Sequence, residues 1–194
     1  HAGIYATPPV PNGDELWFYY HGRRYSHVNP EITDTLKQSP DEPTSGIFLA
    51  RLRVDGFASL YAGSEPGVIL TKSVTVTGSQ LYLNADAARG EIKVEIRDAV
   101  TGRGIAGYAM GDYLGSRVLW SEDGKRGRLR TGAGARFEDD PEEDDTVPVS
   151  EDSTALAVKW KPDRDLSMLK GREVRLFFSL RNAHLYAFWF GEQP

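Results

Sequence analysis

Aromatic side chains that could stack on a ligand occur along the whole sequence. Trp and Tyr rings pack against the apolar C–H faces of sugar rings, while nearby polar groups hydrogen-bond the hydroxyls. The candidate rings for such a carbohydrate contact are Trp17, Tyr19, Tyr25, Tyr113, Trp120 and Trp189. The alternative for each ring is burial in a core or between sheets, where large aromatics are common. Two exposed rings on one face would favour binding over packing.

The four histidines raise a second possibility, which is a copper site. The amine and imidazole of an N-terminal histidine can bind one metal ion together, and imidazole suits copper. With a second histidine this is the histidine brace of lytic polysaccharide monooxygenases, which are also β-sandwiches. His1 would supply the first two ligands, and His21, His27 or His184 the third. Our first expectation is that the protein binds no metal or other cofactor and that His1 is only the first residue of an excised segment. The alternative is a metal site that contains His1 and His27.

Other catalytic patterns are missing from the sequence. The acidic run EDDPEEDD (138–145) lacks the spacing of a dedicated calcium loop. No carboxylate pair stands out as the acid and base of glycoside hydrolysis, and there is no cysteine, no Gly-x-Ser-x-Gly and no phosphate-binding loop. We therefore do not expect this chain to be an enzyme on its own.

Composition excludes some classes of partner. The 194 residues carry a net charge of -5, whereas a nucleic-acid surface requires clustered Lys and Arg, so we expect no nucleic-acid partner. No apolar run approaches the length of a membrane span. The lack of cysteine rules out disulfides and Cys-ligated zinc.

A period of two dominates the sequence and predicts β-strands. EIKVEIRD (91–98) places Ile92, Val94 and Ile96 on one face, and the alternation in 155–160 and 173–180 is equally regular. Further strands are predicted at 15–21, 47–54, 57–60, 74–77, 80–84, 117–120 and 185–190. Many short strands separated by turns predict an all-β protein, a two-sheet antiparallel β-sandwich of the jelly-roll or lectin-like kind.

The remaining segments depart from this pattern. Residues 163–171 are predicted as a single helical turn, and residues 29–46, with three prolines, as a long surface loop. Residues 121–154 are predicted as a polar and acidic insertion between two strands. In the last predicted strand, strict alternation would place Trp189 on the face opposite Tyr186.

Three phrases of the sequence resemble a known arrangement. DELWFYYHGRRYSH followed by GIFLARLRVDGFASLYAG resembles the last blade of five-bladed β-propeller glycosidases of the family-32/43-like type. GVILTKSVTVTGSQLYLNADAARGEIKVEIRDAVTGRGIAGY and LKGREVRLFFSLRNAHLYAFWF are similar to the first and last strands of the β-sandwich that follows such propellers, particularly in predicted bacterial proteins. The resemblance implies N-terminal blade-like strands in 1–62 and a sandwich in 63–194. It implies no catalytic residue here, because the catalytic carboxylates of such propellers lie mostly in earlier blades.

The resemblance also implies a role. It suggests a noncatalytic accessory or carbohydrate-associated module of an exported polysaccharide-degrading system, secreted or periplasmic, with a polysaccharide or oligosaccharide as partner. An upstream propeller domain or a homodimer would cover the aromatic N-terminal strands. A copper-dependent polysaccharide oxidase and a structural, self-associating module are the alternatives.

Overall fold

A computed structural model of the protein describes residues 4–23, 45–113, 117–120, 127–130 and 143–192. These residues form β-strands and two short 3-10 helices, Gly111–Tyr113 and Ser167–Leu169, without an α-helix. The strands are β1 (Ile4–Ala6), β2 (Val10–Asn12), β3 (Glu15–Arg23), β4 (Ser45–Arg53), β5 (Leu60–Ala62), β6 (Gly67–Leu70), β7 (Val74–Thr75), β8 (Gln80–Asp86), β9 (Glu91–Asp98), β10 (Arg117–Trp120), β11 (Gly127–Arg130), β12 (Asp152–Ala157), β13 (Glu173–Arg181) and β14 (Ala183–Gly191). The prediction of an all-β protein is confirmed.

The contacts of the chain divide it into two compact units, residues 1–57 and 58–194. Strand β5, which the sequence resemblance assigned to the N-terminal strands, pairs with β14 and belongs to the second unit. Strands β10 and β11 pair with each other in antiparallel register, from Arg117↔Arg130 to Trp120↔Gly127.

The first unit is an antiparallel sheet centred on β3. Strands β1 and β2 pair with the two ends of β3 along one edge, and β4 pairs along the other edge from Glu15↔Arg53 to Arg23↔Ser45. Trp17 and Tyr19 lie on one face, and Phe18 and Tyr20 lie on the other, as the alternation predicted. None of these four rings is fully buried.

The second unit contains two antiparallel four-stranded sheets. In one sheet the strand order is β12-β8-β14-β5. In the other, β13 is the central strand, with β9 along one edge and β6 and β7 along the other. We call them the β8 sheet and the β13 sheet. Their inner faces form one hydrophobic core, in which the inward side chains of β9 and β13 are at most 1% exposed. Burial of such a continuous apolar layer is the main stabilising contribution to a sandwich.

Trp160 is the largest fully buried side chain of this core. Its indole Nε1 donates a hydrogen bond of 2.8 Å to the carbonyl of Val94, and Tyr108 packs edge-on against its ring. Leu156 and Val158 are buried with it, as the alternation of 155–160 predicted. The hydrogen bond satisfies the one polar atom of the indole inside an apolar environment.

Some predictions needed correction, and others lie outside the described residues. Strands β1, β2, β6 and β11 were not predicted, and the strand predicted at 57–60 is β5, which begins only at Leu60. The predicted helical turn at 163–171 is the 3-10 helix Ser167–Leu169. Most of the predicted loop at 29–46 and most of the predicted insertion at 121–154 lie outside the described residues.

Candidate functional site

The outer face of the β8 sheet carries a row of polar and aromatic residues. Asp152 pairs with Asp86, Asp86 with His184, and His184 with Tyr61, so one residue from each of the four strands lies in the row. Residues that pair directly across antiparallel strands point to the same face of the sheet. On β8, Ala85 precedes Asp86 and is buried in the core, as is Leu83 two residues earlier. Because successive residues of a strand point to opposite faces, Asp86 and the rest of its row point outward.

A β-bulge in β14 changes which aromatic residues face outward. The register with β8 shifts between Leu185 and Ala187, so Tyr186 is an extra residue without a direct partner. Its ring stacks on that of His184, with centroids 6.1 Å apart and 19° between planes. The expectation that strict alternation places Tyr186 opposite Trp189 is therefore wrong, because the bulge resets the alternation.

Tyr61, His184 and Tyr186 form the first aromatic cluster on this face, which we call the His184 stack. The rings of Tyr61 and His184 are parallel to within 29°, with centroids 4.4 Å apart. Ser59 Oγ lies 3.0 Å from His184 Nδ1 and holds the imidazole in place through a hydrogen bond. Tyr61 is 63% exposed, so the cluster offers an open ring to solvent.

Tyr82 and Trp189 form the second cluster, which we call the Trp189 stack. They pair directly between β8 and β14, and their rings stack with centroids 5.6 Å apart and 16° between planes. The phenol of Tyr82 donates a 3.2 Å hydrogen bond to the carbonyl of Glu192. Trp189 is 38% exposed, so it combines a fixed orientation with an accessible surface.

The other candidate rings are not part of this face. Trp17 and Tyr19 lie in the first unit, where they contact each other edge-on and Trp17 Nε1 donates a 2.8 Å hydrogen bond to Glu15. Tyr113 packs edge-on against Phe177, with centroids 4.8 Å apart, and so is a packing residue. Tyr25 and the side chain of Trp120 lie outside the described residues.

Sequence reasoning singled out Trp189 and missed its neighbours. Tyr82 stands between Leu81 and Leu83 in a predicted strand, so the same alternation could have identified it as an outward ring. Tyr61 and Tyr186 had no such signal, because one lies in a three-residue strand and the other in a bulge.

The histidine brace stays a prediction. His1 and His27 lie outside the described residues, His21 lies on β3 in the first unit, and His184 lies in the stack described above. Among the residues that the structure does describe, no group of three His, Cys, Asp or Glu side chains is close enough to hold a metal ion.

A buried ion pair lies on the outer face of the β13 sheet. Arg97 Nε lies 2.8 Å from Glu95 Oε1, and the two side chains are 0% and 2% exposed. The guanidinium also lies 4.3 Å from the ring centroid of Phe177, and Glu95 accepts a 3.2 Å hydrogen bond from the backbone N–H of Met110. Burial raises the pKa of Glu95 to about 7, while Arg97 and the Met110 hydrogen bond oppose this shift.

This raised pKa does not create a reactive site. Glu95 and Arg97 are covered by the segment around Ala109 and Met110, which are themselves buried. The backbone N–H of Ala109 donates a 3.0 Å hydrogen bond to Asp145, which fastens the cover from the other side. A substrate therefore has no access to the carboxyl group, and the pair has a structural role.

Two grooves border the sandwich edges. One, of about 360 Å³, runs along β12 between Val147 and Lys159. The other, of about 200 Å³, lies between β5 and β6 and is lined by Tyr61 and apolar side chains. The smaller groove adjoins the His184 stack through Tyr61, so the apolar surface continues around that edge.

The fold and this face together define an antiparallel β-sandwich with an aromatic outer surface. No family model, curated protein or solved structure matches the chain. Within the part of the chain that the structure describes, there is no helix of the length and apolar character that crossing a membrane requires.

Proposed function

We propose that the protein is a noncatalytic accessory module that contacts carbohydrate through the outer face of the β8 sheet. The observation that carries this proposal is the presence of five aromatic rings in two ordered stacks on one face, with Tyr61 and Trp189 exposed. Flat exposed rings beside polar groups suit the apolar faces and the hydroxyls of sugars.

The surroundings of the rings support binding rather than chemistry. Burial raises the pKa of Glu95 to about 7, but this carboxyl group lies on the β13 sheet and is covered by Met110. On the aromatic face, Asp86 accepts a 3.2 Å hydrogen bond from the backbone N–H of Ala88, so its carboxylate caps the turn that follows β8. The role within an exported bacterial polysaccharide-degrading system rests on the resemblance of the sequence.

The experiment is retention on polysaccharides. The protein is run through native gels containing plant and algal polysaccharides, and Trp189→Ala is compared with wild type. We expect slower migration on at least one polysaccharide and its loss in Trp189→Ala. Val100→Ala, at a residue that is 92% exposed in a turn of the same unit, is the control that removes apolar surface elsewhere. Unretarded migration of the wild-type protein on every polysaccharide would contradict the proposal.

A second candidate function is self-association through the first unit. Its sheet carries exposed apolar residues on both faces, with Ile47 and Leu49 beside Tyr19, and Phe48 stacked on Tyr20. Ile47 is 80% exposed, and an apolar surface on both faces of one sheet is typical of a layer that packs against another.

Light scattering over a concentration series tests this candidate. If the sheet packs between copies, the mean mass rises with concentration, and a charge placed on the packed face abolishes the rise. Ile47→Lys and Phe48→Lys point to opposite faces and identify the face involved. Val100→Lys adds the same charge in the second unit as the control. A monomer mass at all concentrations would exclude the candidate.

A further inference from the structure

The two aromatic stacks are arranged as two contacts for one ligand. His184 pairs with Asp86 and Trp189 pairs with Tyr82, so the partners of His184 and Trp189 are four residues apart on β8, with Tyr186 at the bulge of β14 between them. At the rise of an extended strand this separation is roughly 13 Å. A single sugar ring cannot contact both Tyr61, which pairs with His184, and Trp189, whereas an extended chain of several sugars can.

Between the stacks, β14 carries only a small side chain. The residue pair between them is Ala187 with Asn84. Ala187 has a single methyl side chain, and Asn84 is 1% exposed although its position on β8 points outward. The small side chain of Ala187 leaves space above β14, whereas Asn84 on β8 is covered by its neighbours, so the path from Trp189 to the His184 stack runs along β14.

The charge carried by the four strands themselves disfavours an anionic chain at the stacks; the exposed Lys159 lies two residues beyond the end of β12. The outward positions of the four strands include the carboxylates Asp86 and Asp152, and in these described strands they include no Lys or Arg. At one end of the face, Glu192 is 2.5 Å from Lys170, which neutralises that cation. Arg and Lys are the side chains that make the strong charge-assisted contacts to sulfate or uronate groups.

Resting on the proposed carbohydrate contact, we infer that this face binds one extended, uncharged glycan chain that runs along β14 and stacks on both Tyr61 and Trp189. The two aromatic contacts act on the same molecule, so the affinity depends on chain length. A disaccharide reaches one stack only, and a hexasaccharide reaches both.

Calorimetric titration with defined oligosaccharides tests this inference. The probes are cellohexaose, xylohexaose and mannohexaose, their disaccharides, and the anionic hexagalacturonate. We expect at least one neutral hexasaccharide to bind about tenfold more tightly than its disaccharide, since a second stacked ring adds a comparable free energy. We expect hexagalacturonate to bind no more tightly than a disaccharide.

Variants at each stack separate one shared ligand from two independent ones. Tyr61→Ala and Trp189→Ala should each lower the affinity for the neutral hexasaccharide about tenfold, to that of its disaccharide. Trp189→Leu and Tyr61→Leu keep apolar cover if an alanine variant unfolds, and Val100→Ala should leave the affinity unchanged.

The outcomes distinguish this inference from the proposed function. Binding that is insensitive to chain length, that is lost in only one of the two variants, or that is as tight for hexagalacturonate would overturn the two-stack inference while leaving carbohydrate binding intact. The absence of binding to every probe, combined with unretarded migration on polysaccharides, would overturn both.

Discussion

The ring of Tyr82 stacks on the ring of Trp189 at directly paired positions of β8 and β14. The backbone beneath makes room for it: a Cβ atom at Gly191 would come within 2.9 Å of Tyr82 Cε2. The hydrogen bond from Tyr82 to the carbonyl of Glu192 fixes the far end of the same ring. The orientation of Trp189 is thus set before any ligand arrives, which lowers the entropy cost of binding.

Gly191→Ala should disturb this stack. The added methyl group must displace the Tyr82 ring, so we expect a weaker near-ultraviolet circular dichroism signal and a loss of stability of about 1–2 kcal/mol. Retention on the polysaccharide that binds the wild-type protein should weaken as well. Gly63→Ala is the matched control for stability, because its new Cβ atom meets only the Tyr61 hydroxyl at 3.8 Å, and Val100→Ala is the control for retention. Equal effects of the two substitutions would show that Gly191 does not position Tyr82.

The sandwich core was predictable from local alternation. In β9 and β13 the predicted inward residues, such as Ile92 and Phe178, are fully buried, because a strand with one apolar face needs no long-range information to reveal that face. The same holds for Trp160, which ends a regular apolar–polar alternation.

Two features of the sites were not predictable in this way. The position of Tyr186 depends on a bulge, which is a property of the ladder with β8 and not of the β14 sequence alone. Glu95 and Arg97 alternate with the core residues of β9 and so resemble a solvated face. They are buried only because the chain around Met110, more than ten residues later, folds over them.

The burial of Glu95 makes stability depend on pH near neutrality. Its pKa rises from 4.5 unfolded to about 7 folded, so its contribution to stability is full below pH 4.5 and is lost as the pH rises through 7. The charged groups nearest to it are Arg97, which lowers its pKa, and Asp144, which raises it. Lys93 in turn lies 3.6 Å from Asp144.

Urea unfolding at several pH values measures this effect. Between pH 5 and pH 8 the free energy of unfolding of the wild-type protein should fall by on the order of 2 kcal/mol relative to that of Glu95→Gln. The glutamine keeps the shape of the side chain and its acceptor for the Met110 N–H but does not titrate. Glu65→Gln, in an exposed turn, is the control and should preserve the wild-type pH dependence. Parallel curves for Glu95→Gln and the wild-type protein would contradict the assignment.

Removing only the cation of the buried pair should lower the free energy of unfolding. In Arg97→Met the carboxyl group of Glu95 keeps its burial but loses the guanidinium at 2.8 Å, so we expect a loss of about 3–5 kcal/mol at pH 8. The loss should be smaller at pH 5, where Glu95 is protonated. The double variant Glu95→Leu, Arg97→Met should be more stable at pH 8 than Arg97→Met alone, because it leaves no buried charge. If a double-mutant cycle gave no coupling energy between Glu95 and Arg97, the two residues would not stabilise the protein as a pair.

Asp98 should support stability down to strongly acidic pH. Its carboxylate accepts hydrogen bonds from the backbone N–H and the hydroxyl of Thr101 and from the N–H of Val100, and it pairs with Arg172 at 2.7 Å. The hydrogen bond from the Thr101 backbone is the largest cause that lowers the pKa of Asp98 to about 2, from 3.8 in the unfolded chain. Because the folded pKa is the lower one, this stabilisation is present above pH 3.8 and is lost as the pH falls through 2.

Asp98→Ala should therefore destabilise the protein by about 2 kcal/mol at pH 7 and by much less at pH 2. Asp98→Asn keeps an acceptor for the Thr101 N–H and should lie between the alanine variant and the wild-type protein. Arg172→Ala removes only the ion pair, which is partly exposed, and should cost less than about 1 kcal/mol. If Arg172→Ala were as destabilising as Asp98→Ala, the ion pair and not the turn would be the main source of the low pKa.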